Sequence, residues 1–222
     1  MSGPSDVVLA IADDWSSTRV TITHWVALTG AYGWGRKGQP WQAVIGKNGL
    51  AWGDGLHGHG APTGHQGPVK HEGDGKSPAG AFRITESFGF ERPQTSLVLD
   101  SIENRLLDDD SECVDDPKSH SYNQIVEGTG SGDWSSSEHM RNVDQYLIGA
   151  VVDHNPERIP GDGSCIFLHI WAGPDSTTVG CTAMDEHKLR DLLGSLGKDP
   201  VFVLLPKAEY DALREPWGLP AQ

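Results

Sequence analysis

His169 sits inside the apolar run SCIFLHIW, and Cys181 follows in TTVGCTAMDEHKL. An imidazole in a buried strand costs free energy unless its nitrogens are hydrogen-bonded. Cys181 comes directly after a glycine and just ahead of an expected helix start. There, unpaired N–H groups and the positive end of the helix dipole favour a thiolate. A strand that ends, a loop that turns back and a Gly-Cys pair that opens a helix can bring ring and sulfur together. A thiolate beside a base is the arrangement for covalent acyl transfer. The N–H of Cys181, with its neighbours in the Val179-Gly180 turn, would then meet a developing oxyanion. Gly180 would let the chain turn tightly there. Each residue also has a plain reading, as a satisfied core histidine and a small buried apolar side chain. On these residues alone the inert pair stays open.

A second stretch, EGDGKSPAG, holds Gly75-Lys76-Ser77 and raises the question of a phosphate loop. The spacing excludes it. The position that needs the first glycine is Lys70, and Pro78 and Gly80 lead into the strand-like AFRIT rather than a helix. The histidines His57, His59, His65 and His71 lie in a Gly/Pro-rich run. His-x-His can ligate zinc, but no general base stands as in H-E-x-x-H, so the expectation is a solvated loop bordering a cleft, with no metal and no cofactor. Polar residues in the motif-like segments include Asp74, Lys76, Asp115, Asp116, Tyr122, Asn123, Glu138 and Asn155. Asp and Asn of this kind commonly fix turns through side-chain-to-backbone bonds. Lys76 and Glu138 are expected to line a substrate cleft, with Asp74, Thr178 and Asn155 beside them.

The elements that must position these residues are mostly strands. The chain has 222 residues with 28 glycines, 14 prolines and eight tryptophans, a composition of many short strands and turns. DVVLAIA, RVTITHWVAL, WQAVIG, GAFRITESFGF, TSLVLDS, YLIGAVVDHN, SCIFLHIW and PVFVLLP read as strands. Residues 53–80 read as a long loop. Residues 103–145 read as irregular and polar, a length of loop that is usually functional or a lid. One helix is clear: Leu189, Leu192, Leu193 and Leu196 form an apolar stripe, and Thr182 with Asp185 has capping-box spacing. AEYDALRE reads as a short terminal helix. The expected fold is mainly β, one domain over residues 5–206, a sandwich or open barrel of mixed strands with a short helix after Cys181, and a tail over 207–222.

Charge and hydropathy narrow the partners. The net charge is −14 and no Lys/Arg cluster occurs, which argues against binding along nucleic-acid phosphates. No apolar run reaches the length of a membrane span. The N-terminal stretch MSGPSDVVLAIADDW lacks a basic segment followed by an apolar one, so no signal peptide is expected in it. There are three cysteines and no C-x-x-C.

SCIFLHIW with TTVGCTAM resembles the signature of the L,D-transpeptidase catalytic domain, the YkuD type, in which a strand histidine precedes a Ser/Thr-x-Gly-Cys element. KHEGDGKSPAGAFRI resembles that family's second landmark, and CVDDPKSHSYNQIV and SSSEHM look like segments of one branch. The likeness runs in order from about Val7 to Pro206. It implies Cys181 as nucleophile and His169 as general base, with the other ring nitrogen held by a backbone carbonyl. It implies Gly180 and Cys181 N–H groups as the oxyanion site. The implied partner is a peptidoglycan tetrapeptide stem: the thiolate attacks the third residue's carbonyl and expels the terminal D-amino acid. An amine acceptor then gives a cross-link, and water gives L,D-carboxypeptidase activity. The implied location is periplasmic or extracellular, where Cys113 and Cys165 could form a disulfide. The sequence departs from the common motif at Ala183, where the family usually has Arg or Asn, which leaves the acceptor open between a third-residue diamino acid, L-Ala and water. A wall-binding module without turnover is the alternative, and the presence of both His169 and Cys181 argues against it. A papain-like peptidase is disfavoured because there the cysteine comes first. The oligomeric state is not legible.

Overall fold

The protein was analysed as a computed structural model that describes residues 4–28, 33–91, 102–128 and 132–222. The expected strand TSLVLDS lies outside these residues. In chain order the first strands are β1 (Asp6–Ala12), β2 (Arg19–Ala27), β3 (Trp34–Val44), β4 (Leu50–Trp52) and β5 (Ser77–Gly89). The middle holds β6 (Glu103–Leu106), β7 (Ser111–Val114), β8 (Gln124–Glu127) and β9 (Ser137–His139). Then come β10 (Ile148–Val152), β11 (Phe167–Ile170), β12 (Thr182–Met184), α1 (Glu186–Leu193), β13 (Val201–Pro206) and α2 (Lys207–Leu213).

The architecture is mainly β, as the composition implies. Eight strands run in the order β10-β11-β12-β3-β2-β1-β13-β5, and β5 also pairs with β10, so the barrel is closed rather than open. Closure removes the sheet edges that would otherwise offer unpaired backbone groups. The neighbours β1–β13 and β11–β12 are parallel, and the other barrel pairs are antiparallel. β4 and β6 flank β5 outside this circuit. β1 is buried at every position, which its unbroken apolar run requires.

The α1 stripe packs Leu189, Leu192 and Leu193 into the main core, against β10 and β11. Each fully buried leucine contributes roughly 1.5–3 kcal/mol. Two local expectations are corrected here. Thr182 lies in β12, and the helix cap is Asp185, whose carboxylate accepts from the N–H groups of His187 and Lys188. Leu196 falls beyond the helix but still joins the core. The tail is no appendage either: Tyr210 and Leu213 of α2 are buried in the same core, and Trp217 and Leu219 pack against it.

Residues 103–145 are also more ordered than their polarity suggests. β7 is the centre of a separate three-stranded antiparallel sheet, with β8 and β9 on either side. A disulfide joins Cys113 of β7 to Cys165, just before β11. This small sheet is a flap covalently fastened beside the strand that carries His169.

Candidate active site

Strand alternation fixes the two chemistry-bearing residues on one side. In the parallel β11–β12 pair, Leu168 is level with Thr182 and His169 with Ala183. Leu168 belongs to the main core with Leu189, whereas Phe167 belongs to a second, smaller cluster with Phe88, Tyr146 and Cys181. His169, two residues after Phe167, shares the face of Phe167. Its ring meets the Tyr146 ring edge-on with centroids 5.3 Å apart.

The His169 ring is oriented as the resemblance implied. Nδ1–H donates to the backbone carbonyl of Ile170 at 2.7 Å, which leaves Nε2 as the basic nitrogen. Burial lowers the histidine's pKa below the ordinary 6.5, against the pull of the Ile170 carbonyl. His169 is therefore a neutral imidazole at pH 7. No hydrogen bond joins His169 to Cys181 among the described residues. Tyr146 is the residue that touches both.

The Cys181 sulfur lies at the floor of a cleft of about 400 Å³. It accepts from the Phe167 N–H at 3.3 Å, and its S–H donates to the Cys165 carbonyl at 3.5 Å. The Tyr146 hydroxyl, in the same small cluster as the sulfur, donates to Glu138 Oε2 at 2.7 Å. The expectation of a thiolate is overturned. Cys181 does not open a helix, because β12 stands between it and α1. The dipole that would lower its pKa starts at Glu186 instead. Burial is the largest influence and the Glu138 charge adds to it, so the thiol is pushed up to about 12. The Phe167 N–H, Lys70 and Tyr146 only partly oppose this.

A measurable consequence follows for the thiols. Cys113 and Cys165 are bonded to each other, so the native protein has one titratable thiol, Cys181, which is 6% exposed. Iodoacetamide should label one site per chain. Because the pKa is raised, the rate should climb about tenfold per pH unit between 7 and 10. A pH-independent rate would mean a preformed thiolate and a misplaced sulfur.

The expected site residues separate into two groups. Glu138 lines the cleft from the flap, and burial, then Asp115, raises its carboxyl pKa against the Tyr146 bond. Gly180 also lines it, but neither of its expected roles survives. Its backbone is not left-handed; a Cβ there would come 3.0 Å from Ile166 Cδ1, so close packing is what favours glycine. Its N–H already donates to Thr178 Oγ1 at 3.2 Å. Thr178 supports the site from behind, its hydroxyl donating to the Cys181 carbonyl at 2.7 Å.

The other three face elsewhere. Lys76 Nζ donates to the Asn48 carbonyl at 2.6 Å, and the residue is not part of the cleft wall. Asp74 ties its own turn: it accepts from Lys70 Nζ at 2.6 Å and from the N–H groups of His71 and Lys76. Gly73 and Gly75, at φ 72° and 69°, give that turn its left-handed corners. Asn155 staples its loop by donating to Ile159 and Gly163 carbonyls. In place of Lys76, the cleft presents Lys47 and the buried Lys70.

Among the wall residues that escaped the sequence reading are Lys47, Lys70, Glu72 and Tyr146. Glu72 accepts from Tyr122 and Ser164 hydroxyls. The KHEGDGK stretch marked the right loop for Lys70 and Glu72, but only the fold shows which side chains face inward. Tyr146 had no signal, since it sits in a 3₁₀ turn (Asp144–Leu147) whose spacing matches no catalytic pattern.

No family model matches the chain, and no curated protein or solved structure matches it.

Proposed function

We propose that the protein is a cysteine acyltransferase of the L,D-transpeptidase type acting on peptidoglycan tetrapeptide stems. The observation that carries this is the shared face: a single free cysteine at a cleft floor, with a neutral imidazole anchored through Nδ1 on the adjacent parallel strand. Substrate binding closes the distance between Nε2 and the sulfur, since catalytic contacts in unliganded sites are often long. The thiol proton passes to His169 Nε2 as the sulfur bonds to the carbonyl carbon of the third stem residue. The imidazolium returns that proton to the leaving nitrogen as the C–N bond breaks, releasing the terminal D-amino acid. The thioester is then opened by an amine or by water.

The cleft suits a zwitterionic peptide. Lys47 offers a cation to a donor carboxylate, and Asp115, with a buried unpartnered Oδ1, offers an acceptor to an ammonium group alongside Glu72 and Glu138. With Ala183 apolar at 1% exposure, the polar support beside the sulfur comes from Tyr146 and Glu138. A disulfide beside the cleft fits an oxidising compartment, periplasmic or extracellular.

The reading is tested by incubating the protein with purified tetrapeptide muropeptides and measuring product masses. A cross-linked dimer means transfer, and loss of the terminal residue alone means hydrolysis. No product from any stem would sink the reading. Tyr146→Phe provides a finer check. Losing the hydroxyl that holds Glu138 beside the sulfur and helps keep the thiol pKa down should lower kcat about 10- to 100-fold and slow iodoacetamide labelling of Cys181 at a fixed pH. Unchanged labelling would restrict Tyr146 to packing.

A further inference from the structure

Away from the cleft floor, two acidic side chains meet one histidine. Asp54, His59 and Asp162 each place a ligand-type atom within 4.8 Å of the other two. Asp54 is 8% exposed; its Oδ1 accepts from the Gly60 N–H at 2.9 Å and lies 2.9 Å from His59 Nδ1. Its Oδ2 is buried and has no partner, and the same holds for Asp162 Oδ2. His59 Nδ1 lies 3.8 Å from Asp162 Oδ2. Two buried carboxylate oxygens without donors cost free energy unless a counter-charge sits between them.

The pair is also held in place. His154 is buried between the two backbones: its Nδ1 accepts from the Asp54 N–H at 3.2 Å, and its Nε2–H donates to the Asp162 carbonyl at 3.0 Å. The Asn155 N–H donates to the Asp54 carbonyl at 3.0 Å. These bonds fix the carboxylates from behind while His59, with a side chain 63% exposed, closes the group from the solvent side.

We propose that Asp54, His59 and Asp162 bind one first-row divalent cation, of the zinc or manganese class, which ties the loop at 53–60 to the loop at 155–163. One imidazole nitrogen and two carboxylate oxygens form a mixed donor set that suits zinc or manganese. Calcium is a poor fit because it takes six to eight oxygens. Donor atoms around a tetrahedral zinc lie about 3.3 Å apart, and the 2.9 and 3.8 Å separations bracket that spacing. Only a small ring movement is needed. The open side at His59 leaves room for a water as the fourth ligand. The sequence reading of these histidines as a solvated loop left this out because Asp162 is remote from the His run and Asp54 forms no recognised ligand spacing with it.

The test uses the full chain carrying Cys181→Ser, so that the thiol binds no metal, after chelator treatment and dialysis. Calorimetric titration with zinc chloride should give one site per chain, and zinc should raise Tm by several degrees. His59→Ala and Asp162→Asn should each weaken zinc binding at least tenfold, whereas His187→Ala on the exposed start of α1 should leave it unchanged. Absence of saturable binding with both zinc and manganese would overturn the proposal. So would one-to-one binding that neither His59→Ala nor Asp162→Asn weakens. Asp162→Asn raising the Tm of the metal-free chain, with wild-type Tm indifferent to zinc, would assign the carboxylates a shared proton and overturn it as well.

Discussion

Cys181→Ala should abolish stem-peptide turnover, with kcat/KM falling by about 10⁴-fold or more. No other free cysteine exists to take over, since Cys113 and Cys165 are bonded to each other. The fold should survive, because the sulfur sits at a cleft floor, in the smaller cluster, rather than in the main core. Thermal unfolding of the variant should stay close to wild type. Mass spectrometry of the wild-type protein with substrate should show the acyl adduct on Cys181, and the variant should show none. Turnover within tenfold of wild type in the alanine variant would place the chemistry on another residue.

His169→Gln should lower kcat by about 10²- to 10⁴-fold, the usual worth of a positioned general base. Glutamine keeps a polar group near the Ile170 carbonyl but supplies no base. The pH profile gives the sign independently. As the proposed general base His169 would act in its neutral form, and burial depresses its pKa below 6.5. Activity should therefore hold as pH falls from 7.5 to 6.5 and fail only below that. His57 and His154 are also held low by burial, the latter at about 4. A group with a depressed pKa binds fewer protons folded than unfolded, so these histidines make stability fall as pH drops below 6.5. Tm recorded at each pH separates loss of fold from loss of the base. A kcat within threefold of wild type for His169→Gln, or an acid limb well above 6.5, would remove His169 from the mechanism.

Much of this arrangement was readable in the residues. The apolar runs marked β1, β2, β10, β11 and β13, and the leucine stripe marked α1, because burial demands those periods. The parallel strands β11 and β12, which carry His169 and follow Cys181, were foreshadowed because both residues lie close in sequence around one strand crossover. Three things were not. Barrel closure depends on β5 meeting β10, a pairing between distant segments that no local pattern encodes. The flap was hidden because SECV, QIVE and SEH are short and polar, and their buried members, such as Glu112, are satisfied by Trp134 and Ser137 instead of by apolar packing. The state of the thiol was misread because three residues of β12 displace the helix from Cys181. That small shift exchanges a stabilising dipole for a burial penalty.

The Cys113–Cys165 bridge closes a loop across a sequence separation of 52. In the chain-entropy account, such a cross-link removes about 4 kcal/mol of freedom from the unfolded chain. Its placement has a consequence for biogenesis. The Cys165 carbonyl is 3.5 Å from the Cys181 sulfur, so one end of the bridge borders the free thiol. Of the three single bridges that three cysteines can make, two consume Cys181. An oxidising environment therefore both completes the flap and competes for the Cys181 thiol. A chain oxidised before the barrel closes is exposed to that competition, whereas one whose flap docks first presents Cys113 to Cys165 and leaves Cys181 reduced. The yield of correctly bridged protein should therefore depend on the order of folding and oxidation.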